Sequence, residues 1–221
     1  MTELIFALDT TQEHGSVALA RTGASIEEAV LLEEAPLHSR TGFSDVLYGE
    51  IERLFSRHGV RVEDVACFAV ANGPGSFTGV RVGLACVKGL AEAAGKPVVG
   101  VSNLEATMLS GTAEMRGAAL DARRGEAYCA FAGTEVVMSF PMWLATLPEG
   151  DIEIVSTDFT PFRAALAGSR FTRLTQAPHA QAGAVARIAA RKYRAGEAID
   201  PAALDANYVR RSDADLMWKE N

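Results

Sequence analysis

Residues 72–83, Asn-Gly-Pro-Gly-Ser-Phe-Thr-Gly-Val-Arg-Val-Gly, hold the densest set of residues suited to chemistry in this chain. An apolar run, residues 65–71, stops at Asn72. Gly73, Pro74 and Gly75 turn the chain, and helix-compatible sequence follows from about Ser76 to Ala94. Gly73 and Gly75 can take positive φ and let a backbone or a ligand come close, while Pro74 stiffens the turn and removes a donor. A strand, a tight turn and a helix start can aim amide N–H groups at an anion. Two phosphate loops are nevertheless excluded. A Walker A loop ends in Gly-Lys-Ser/Thr, where this segment has Thr78-Gly79-Val80. A dinucleotide loop wants Gly-x-Gly-x-x-Gly and an acid about 20 residues on. Here the third glycine falls one residue late, at Gly79, and the next strand runs into Ser102 and Asn103. The structural alternative is a turn whose glycines permit close packing.

Other chemistries find less support. His14, His38, His58 and His179 are scattered, and no two stand four apart on one helix face, where they would grip one metal. No Gly-x-Ser-x-Gly elbow is present; Gly75-Ser76 is followed by Phe-Thr. Cys67, Cys86 and Cys129 lie in apolar segments without Cys-x-x-Cys spacing and read as small buried hydrophobes in a reducing compartment.

The elements that position the glycine turn follow from hydrophobic period. Leu4–Leu8 reads as a buried strand, with a polar connection (Thr10 to His14) to a second strand near Ser16–Ala20. Glu28–Glu34 suits a third strand. From Phe43 the period changes: Phe43, Val46, Leu47, Ile51, Leu54 and Phe55 share one helical face, ended by Gly59. Next come the 65–71 strand, the turn, a second helix and a strand at Val98–Val101. Beyond them, Gly117–Ala122 pairs with Glu126–Ala132 across an Arg-Arg-Gly turn. Strands are expected near Glu135–Ser139, Ile152–Val155 and Phe171–Leu174, and a helix near Gln181–Ala195. Gly111–Arg116 and Gly196–Pro201 are hinge candidates, and no long repeat is visible. The second helix carries Gly75, Gly79 and Gly83 at four-residue spacing. Each interior glycine costs about 1 kcal/mol against alanine, so the stripe points to backbone approach, either of its own sheet or of a partner.

The 221 residues include 28 acids and 21 bases, a net charge of −7 that weighs against free-standing nucleic-acid binding. Arg123-Arg124 and Arg210-Arg211 are local basic pairs. The apolar runs are strand-sized, which predicts no membrane span, and the N-terminus lacks a basic region of the secretory kind. The expected location is the cytoplasm.

The string Gly-Pro-Gly-Ser-Phe-Thr-Gly-Val-Arg-Val-Gly resembles the signature of the bacterial TsaB (YeaZ) family. So do Ala7–Thr11 with Gly15–Leu19, His38-Ser39-Arg40, Gly100–Ala106, Leu120–Tyr128 and Tyr208-Val209-Arg210-Arg211. The resemblance covers roughly the first 130 residues in order; residues 133–200 carry little signature. It implies an α/β fold of ribonuclease-H-like and actin-like type (the sugar kinase, Hsp70 and actin group). Its mixed sheets would form two lobes: an N-terminal lobe over 1–110, completed by 201–221, and a smaller second lobe over 111–200.

The functional implications are those of a non-catalytic scaffold. By resemblance, the chain would bind and support the metal-bearing transferase TsaD, with the ATPase TsaE docking on the pair. Together they would place N6-threonylcarbamoyladenosine at position 37 of tRNA, which this chain would reach only through the complex. Alone it would form a homodimer. No catalytic residue, metal or cofactor is expected, and a nucleotide at the subunit boundary stays open. Asp9, Thr10 and Thr11 with Gly73 and Gly75 form a vestigial nucleotide site on one reading and a hydrogen-bonded turn on the other. Leu47, Ile51 and Leu54 on the first helix, and Phe77, Val80, Arg81, Leu84 and Lys88 on the second, are the expected interface. The competing function is a small ATP-binding phosphotransferase of the same superfamily.

Overall fold

The computed structural model describes residues 2–23, 28–38 and 42–209. It contains ten strands and six α-helices among those residues: β1 Leu4–Asp9, β2 Gly15–Arg21, β3 Val30–Leu37, α1 Leu47–His58, β4 Val65–Ala71, α2 Phe77–Ala94, β5 Val98–Val101, α3 Asn103–Met108, β6 Arg116–Asp121, β7 Ala127–Phe131, β8 Thr134–Met138, α4 Phe140–Thr146, β9 Glu153–Ser156, α5 Arg163–Leu166, β10 Leu174–Gln176 and α6 Ala182–Arg194. They divide into two compact units. The first joins Met1–Ala106 to His179–Ala206, and the second holds Thr107–Pro178 and the described residues from Asn207 onward.

The first unit is built on a five-stranded sheet ordered β3-β2-β1-β4-β5. β1 pairs antiparallel with β2 and parallel with β4, as three meandering strands followed by crossovers require. β1 and β4 are covered on both faces, which explains their unbroken apolar runs. Phe6, Leu8, Val17, Leu19, Phe68 and Val70 meet the inward faces of α1 and α2 in one core, where Phe6 stands edge-on to Phe55 at 5.4 Å. Both helices end in a left-handed glycine, Gly59 (φ 61°) and Gly95 (φ 62°).

The second unit repeats this order. Its sheet runs β10-β9-β6-β7-β8, with β6–β7 and β7–β8 antiparallel and β6–β9 and β9–β10 parallel. Its core gathers Phe140, Trp143, Leu144, Ile154, Phe162 and Phe171. The two mixed sheets flanked by helices are an α/β fold of the actin-like and ribonuclease-H-like kind.

Three expectations need correction. Residues 179–200 belong with the first unit, because α6 docks there. The Ala182 amide donates to Ser16 Oγ (3.0 Å) and the Gly183 amide to Glu34 Oε1 (3.0 Å), and a Cβ on Gly183 would lie 2.7 Å from Glu34. Gly196–Pro201 is therefore no boundary: Ile199 and Val98 pair within the first unit. The third strand begins at Val30 rather than Glu28. Ser39, Arg40, Arg210 and Arg211, like the rest of 210–221, lie outside the described residues.

Candidate functional site

The β1–β2 turn and the start of α2 form the site that the sequence singles out, and the chain itself fills it. Asp9 is fully buried at the end of β1, where its Oδ1 accepts from the Thr11 amide (2.8 Å) and the Thr11 hydroxyl (2.6 Å). Thr11 O in turn accepts from the Ser76 amide at 2.6 Å. Thr10 Oγ1 donates to Gly79 O at 2.7 Å. Ser76 caps α2 by accepting from the Gly79 amide at 3.3 Å. The helix-start N–H groups that could have met an anion are thus partly satisfied within the chain.

The glycine stripe makes this closure possible. A Cβ on Gly75 would stand 2.5 Å from Thr11 O, one on Gly79 2.0 Å from Thr10 O, and one on Gly83 2.7 Å from Thr10 Oγ1. No side chain fits at those distances, so the stripe serves its own sheet and turn. Gly73 joins through Asn103: its amide donates to Asn103 Oδ1 (3.1 Å), and Asn103 Nδ2 donates to Thr11 Oγ1 (2.6 Å). Asp9, Thr10, Thr11, Gly73 and Gly75 therefore do come together, around a residue that sequence reasoning missed. Asn103 stands just past β5, 92 positions from Thr11, and its only signal was a polar Ser-Asn pair ending an apolar strand.

Asp9 Oδ2 has no hydrogen-bond partner in this closed turn. Burial pushes its carboxyl above the ordinary value, against the hydrogen bonds from Thr11 that pull it down. The thiols are removed from chemistry by the same physics: burial pushes Cys67 and Cys129 up to about 12 and Cys86 to about 11. Among the described residues, no three His, Cys, Asp or Glu side chains converge as a metal would need. No helix among them is long and apolar enough to cross a membrane.

The expected interface residues split into two groups. Leu47, Ile51, Leu54, Val80 and Leu84 are buried in the core of the first unit, which corrects their assignment as partner contacts. The apolar stripe of an amphipathic helix faces its own sheet first, and burying each Leu contributes about 1.5–3 kcal/mol. On the outer side stand Phe77, 49% exposed, and Tyr48, 62% exposed. The Arg81 guanidinium lies 3.7 Å over the Phe77 ring, and Lys88 is half-buried.

The corresponding turn of the second unit follows β6. Asp121 ends that strand, and its Oδ1 accepts from the Arg123 amide at 2.8 Å, as Asp9 does from Thr11. Arg123 (φ 64°), Arg124 (φ 55°) and Gly125 (φ 79°) are all left-handed, which costs about 1–2 kcal/mol for each arginine. This turn borders a pocket of about 580 Å³, completed by Phe140 and Pro141 of α4 and by Pro161, Phe162, Ala164 and Ala165 at and beside α5.

Known proteins resemble this chain in sequence and in fold. A family model described as "TsaD: tRNA N6-adenosine threonylcarbamoyltransferase" matches residues 35–138. The tRNA threonylcarbamoyladenosine biosynthesis protein TsaB of Escherichia coli K12 is 36% identical over 131 residues, covering 57% of this chain and 53% of that protein. The protein of the same name from Haemophilus influenzae is 39% identical over 128 residues, covering 56% and 51%. The chain thus aligns with about half the length of these curated relatives. The solved structure of YeaZ from Pseudomonas aeruginosa superposes with a TM-score of 0.77 at 26% identity, over 93% of this chain and 99% of that one. A second structure, described as an uncharacterized protein with similarity to peptidase YeaZ from Pseudomonas aeruginosa, gives a TM-score of 0.78 at 26% identity, over 94% and 100%.

Proposed function

The chain is a member of the TsaB/YeaZ family, and from that premise we propose that it serves tRNA threonylcarbamoyladenosine biosynthesis as a non-catalytic scaffold. In this reading it binds and supports TsaD, TsaE docks on the pair, and tRNA is reached through the complex in the cytoplasm. The observation that carries the non-catalytic part is the closed β1–β2 turn. A phosphotransferase of this fold would need a phosphate where Thr11 O receives the Ser76 amide and where Thr10 O sits against Gly79. The competing phosphotransferase reading draws on the buried Asp9, but its carboxyl is pushed toward the neutral form, the opposite of what holding a metal ion requires. A vestigial nucleotide site at Asp9, Thr10, Thr11, Gly73 and Gly75 is thereby set aside in favour of a structural turn.

The partner surface in this reading is the outer side of α1 and α2, with Tyr48, Phe77, Arg81 and Lys88 as its contacts. An aromatic ring under a guanidinium is a common anchor of protein interfaces. The same patch would pair two copies in the absence of TsaD through a two-fold contact, so homodimer and heterodimer compete. The test is reconstitution: purified chain and TsaD with TsaE, ATP and the threonylcarbamoyl donor, assayed for tRNA modification with and without the chain. Modification should require the chain. Phe77→Asp and Arg81→Glu should each weaken binding of TsaD at least tenfold, with unchanged circular dichroism. Asp9→Ala should retain most of the modification. Modification that proceeds equally well without the chain would refute the scaffold role, and a folded Asp9→Ala variant that cannot support it would restore the catalytic reading.

A further inference from the structure

The two units share a strand order and an aspartate-ended first strand, yet only the first fills the corner beside that strand. In the first unit the helix after the fourth strand is 18 residues long and brings three glycines against the turn. In the second, the helix in that place is α5, four residues long, and its neighbourhood presents Pro161, Ala164 and Ala165 instead. The corner is left as a pocket of about 580 Å³, within the roughly 300–1,000 Å³ of small-ligand sites.

The lining has three chemical parts. Arg123 and Arg124 stand in a left-handed turn, where Gly, Asn or Asp meets the backbone demand at less strain. Guanidinium forks match phosphate oxygens. Asp121 and Glu126 line the pocket beside them. Asp121 Oδ2 lies 3.6 Å from Arg123, so the two acids balance much of the positive field and a bare anion gains little. Carboxylates do, however, accept from hydroxyl groups. The opposite wall is apolar, with Pro141, Pro161 and the edges of Phe140 and Phe162.

We propose that this pocket binds a nucleoside phosphate: Arg123 and Arg124 hold the phosphate, Glu126 accepts from the ribose hydroxyls, and the base lies on the proline wall. The chemistry is shared by a free nucleotide and by one unit of an RNA strand; the net charge of −7 disfavours a long footprint. The proposal does not rest on the scaffold role above, since it concerns binding by the chain alone.

The experiment is calorimetric titration of the full chain with AMP, with a ten-nucleotide single-stranded oligoadenylate and with inorganic phosphate. Saturable binding of AMP or of the oligoadenylate is expected, with inorganic phosphate at least tenfold weaker; the tighter of the first two identifies the source. Arg124→Gly, which keeps the left-handed turn and removes the fork, should weaken binding at least tenfold without lowering the melting temperature. Arg124→Lys should recover part of the loss. Arg124→Asn serves in its place should the glycine variant fold poorly. The proposal is overturned if the parent binds neither AMP nor the oligoadenylate, if inorganic phosphate binds as tightly as AMP, or if a folded Arg124→Gly or Arg124→Asn variant binds as the parent does.

Discussion

β1 and β6 occupy the same place in two sheets of the same order, and each ends in an aspartate that closes a turn by accepting an amide two residues on. Their surroundings differ. Asp9 is sealed beneath α2, with Thr10, Thr11 and Asn103 bonded around it, whereas the Asp121 turn is exposed and faces a pocket. The difference lies in what the helix after the fourth strand brings to the corner: three glycines on 18 residues in one case, four residues with proline and alanine nearby in the other. One topology therefore yields a structural joint or an open cleft according to side-chain volume at a few positions. A catalytic history is not needed to explain the buried aspartate.

The sharpest way to break this comparison is to add volume to the closed joint. Gly79→Ala places a methyl 2.0 Å from Thr10 O, and overpacking of that severity should cost about 3 kcal/mol, near the upper end for core insertions. The chemical-denaturation midpoint checks it; a midpoint within error of the parent's would mean that the turn is not held shut. Gly89→Ala, with open space around its Cβ, should by contrast stabilise the same helix by about 0.5–1 kcal/mol.

Two buried carboxylates, one in each unit, give the next effects, of opposite sign in pH. Glu153 is sealed in the second unit, where burial alone would raise its carboxyl. The amides of Ala113 and Thr112, the Thr175 hydroxyl and Arg173 outweigh that and hold it below the ordinary 4.5. A lowered folded value contributes stability above the unfolded pKa, lost as pH falls through the folded one. Glu153→Gln should therefore cost about 1–3 kcal/mol at pH 7, and the gap should shrink as pH falls below about 4.5. Asp9 behaves the other way. Its folded value is raised above 3.8, so its contribution is complete below the unfolded value and fades as pH rises through the folded one. Asp9→Asn should flatten that decline, seen as urea midpoints that differ less between pH 4 and pH 8 than the parent's. An unchanged pH slope would show that Asp9 ionises as freely as a surface carboxylate.

The smallest expected effect belongs to the open turn. Arg124→Gly relieves a left-handed side chain at φ 55° but loosens the unfolded chain. The net should be a gain of about 0.5 kcal/mol or none, read as a melting temperature at or slightly above the parent's. A clear loss of stability would mean that the Arg124 side chain supports the fold rather than facing a ligand.

Much of this architecture was legible in sequence. The strand, turn and helix around 72–83 announced themselves through an apolar run, Gly-Pro-Gly and a polar helix start, and α2 begins one residue from the expected place. The glycine stripe was legible as a demand for close approach, though not its object, because Thr10 and Thr11 lie some 65 residues away in the chain. Leu47 and Leu54 were misread for a related reason: a period of 3.6 identifies an apolar face without saying whether sheet or partner covers it. The helix α4 passed unnoticed because Pro141 stands in its first turn, where proline is tolerated but looks like a breaker. The repeated strand order was invisible, since Leu4–Asp9 and Arg116–Asp121 share a pattern of burial rather than a string of residues.

The docking of α6 has a consequence for synthesis. The helix lies against β1, β2, β3, β4 and β5, yet it is made after the entire second sheet. While the ribosome adds the roughly 80 residues between the end of β5 and the start of α6, about 4–16 s at ordinary elongation rates, one face of a finished apolar sheet has nothing of its own chain to cover it. The second unit, nearly continuous from Thr107 to Pro178, can close meanwhile. The nascent chain is thus most prone to sticking and to chaperone capture in the interval before Ala182–Arg194 clears the exit tunnel, and a message truncated after Pro178 would release a polypeptide with that hydrophobic face permanently bare.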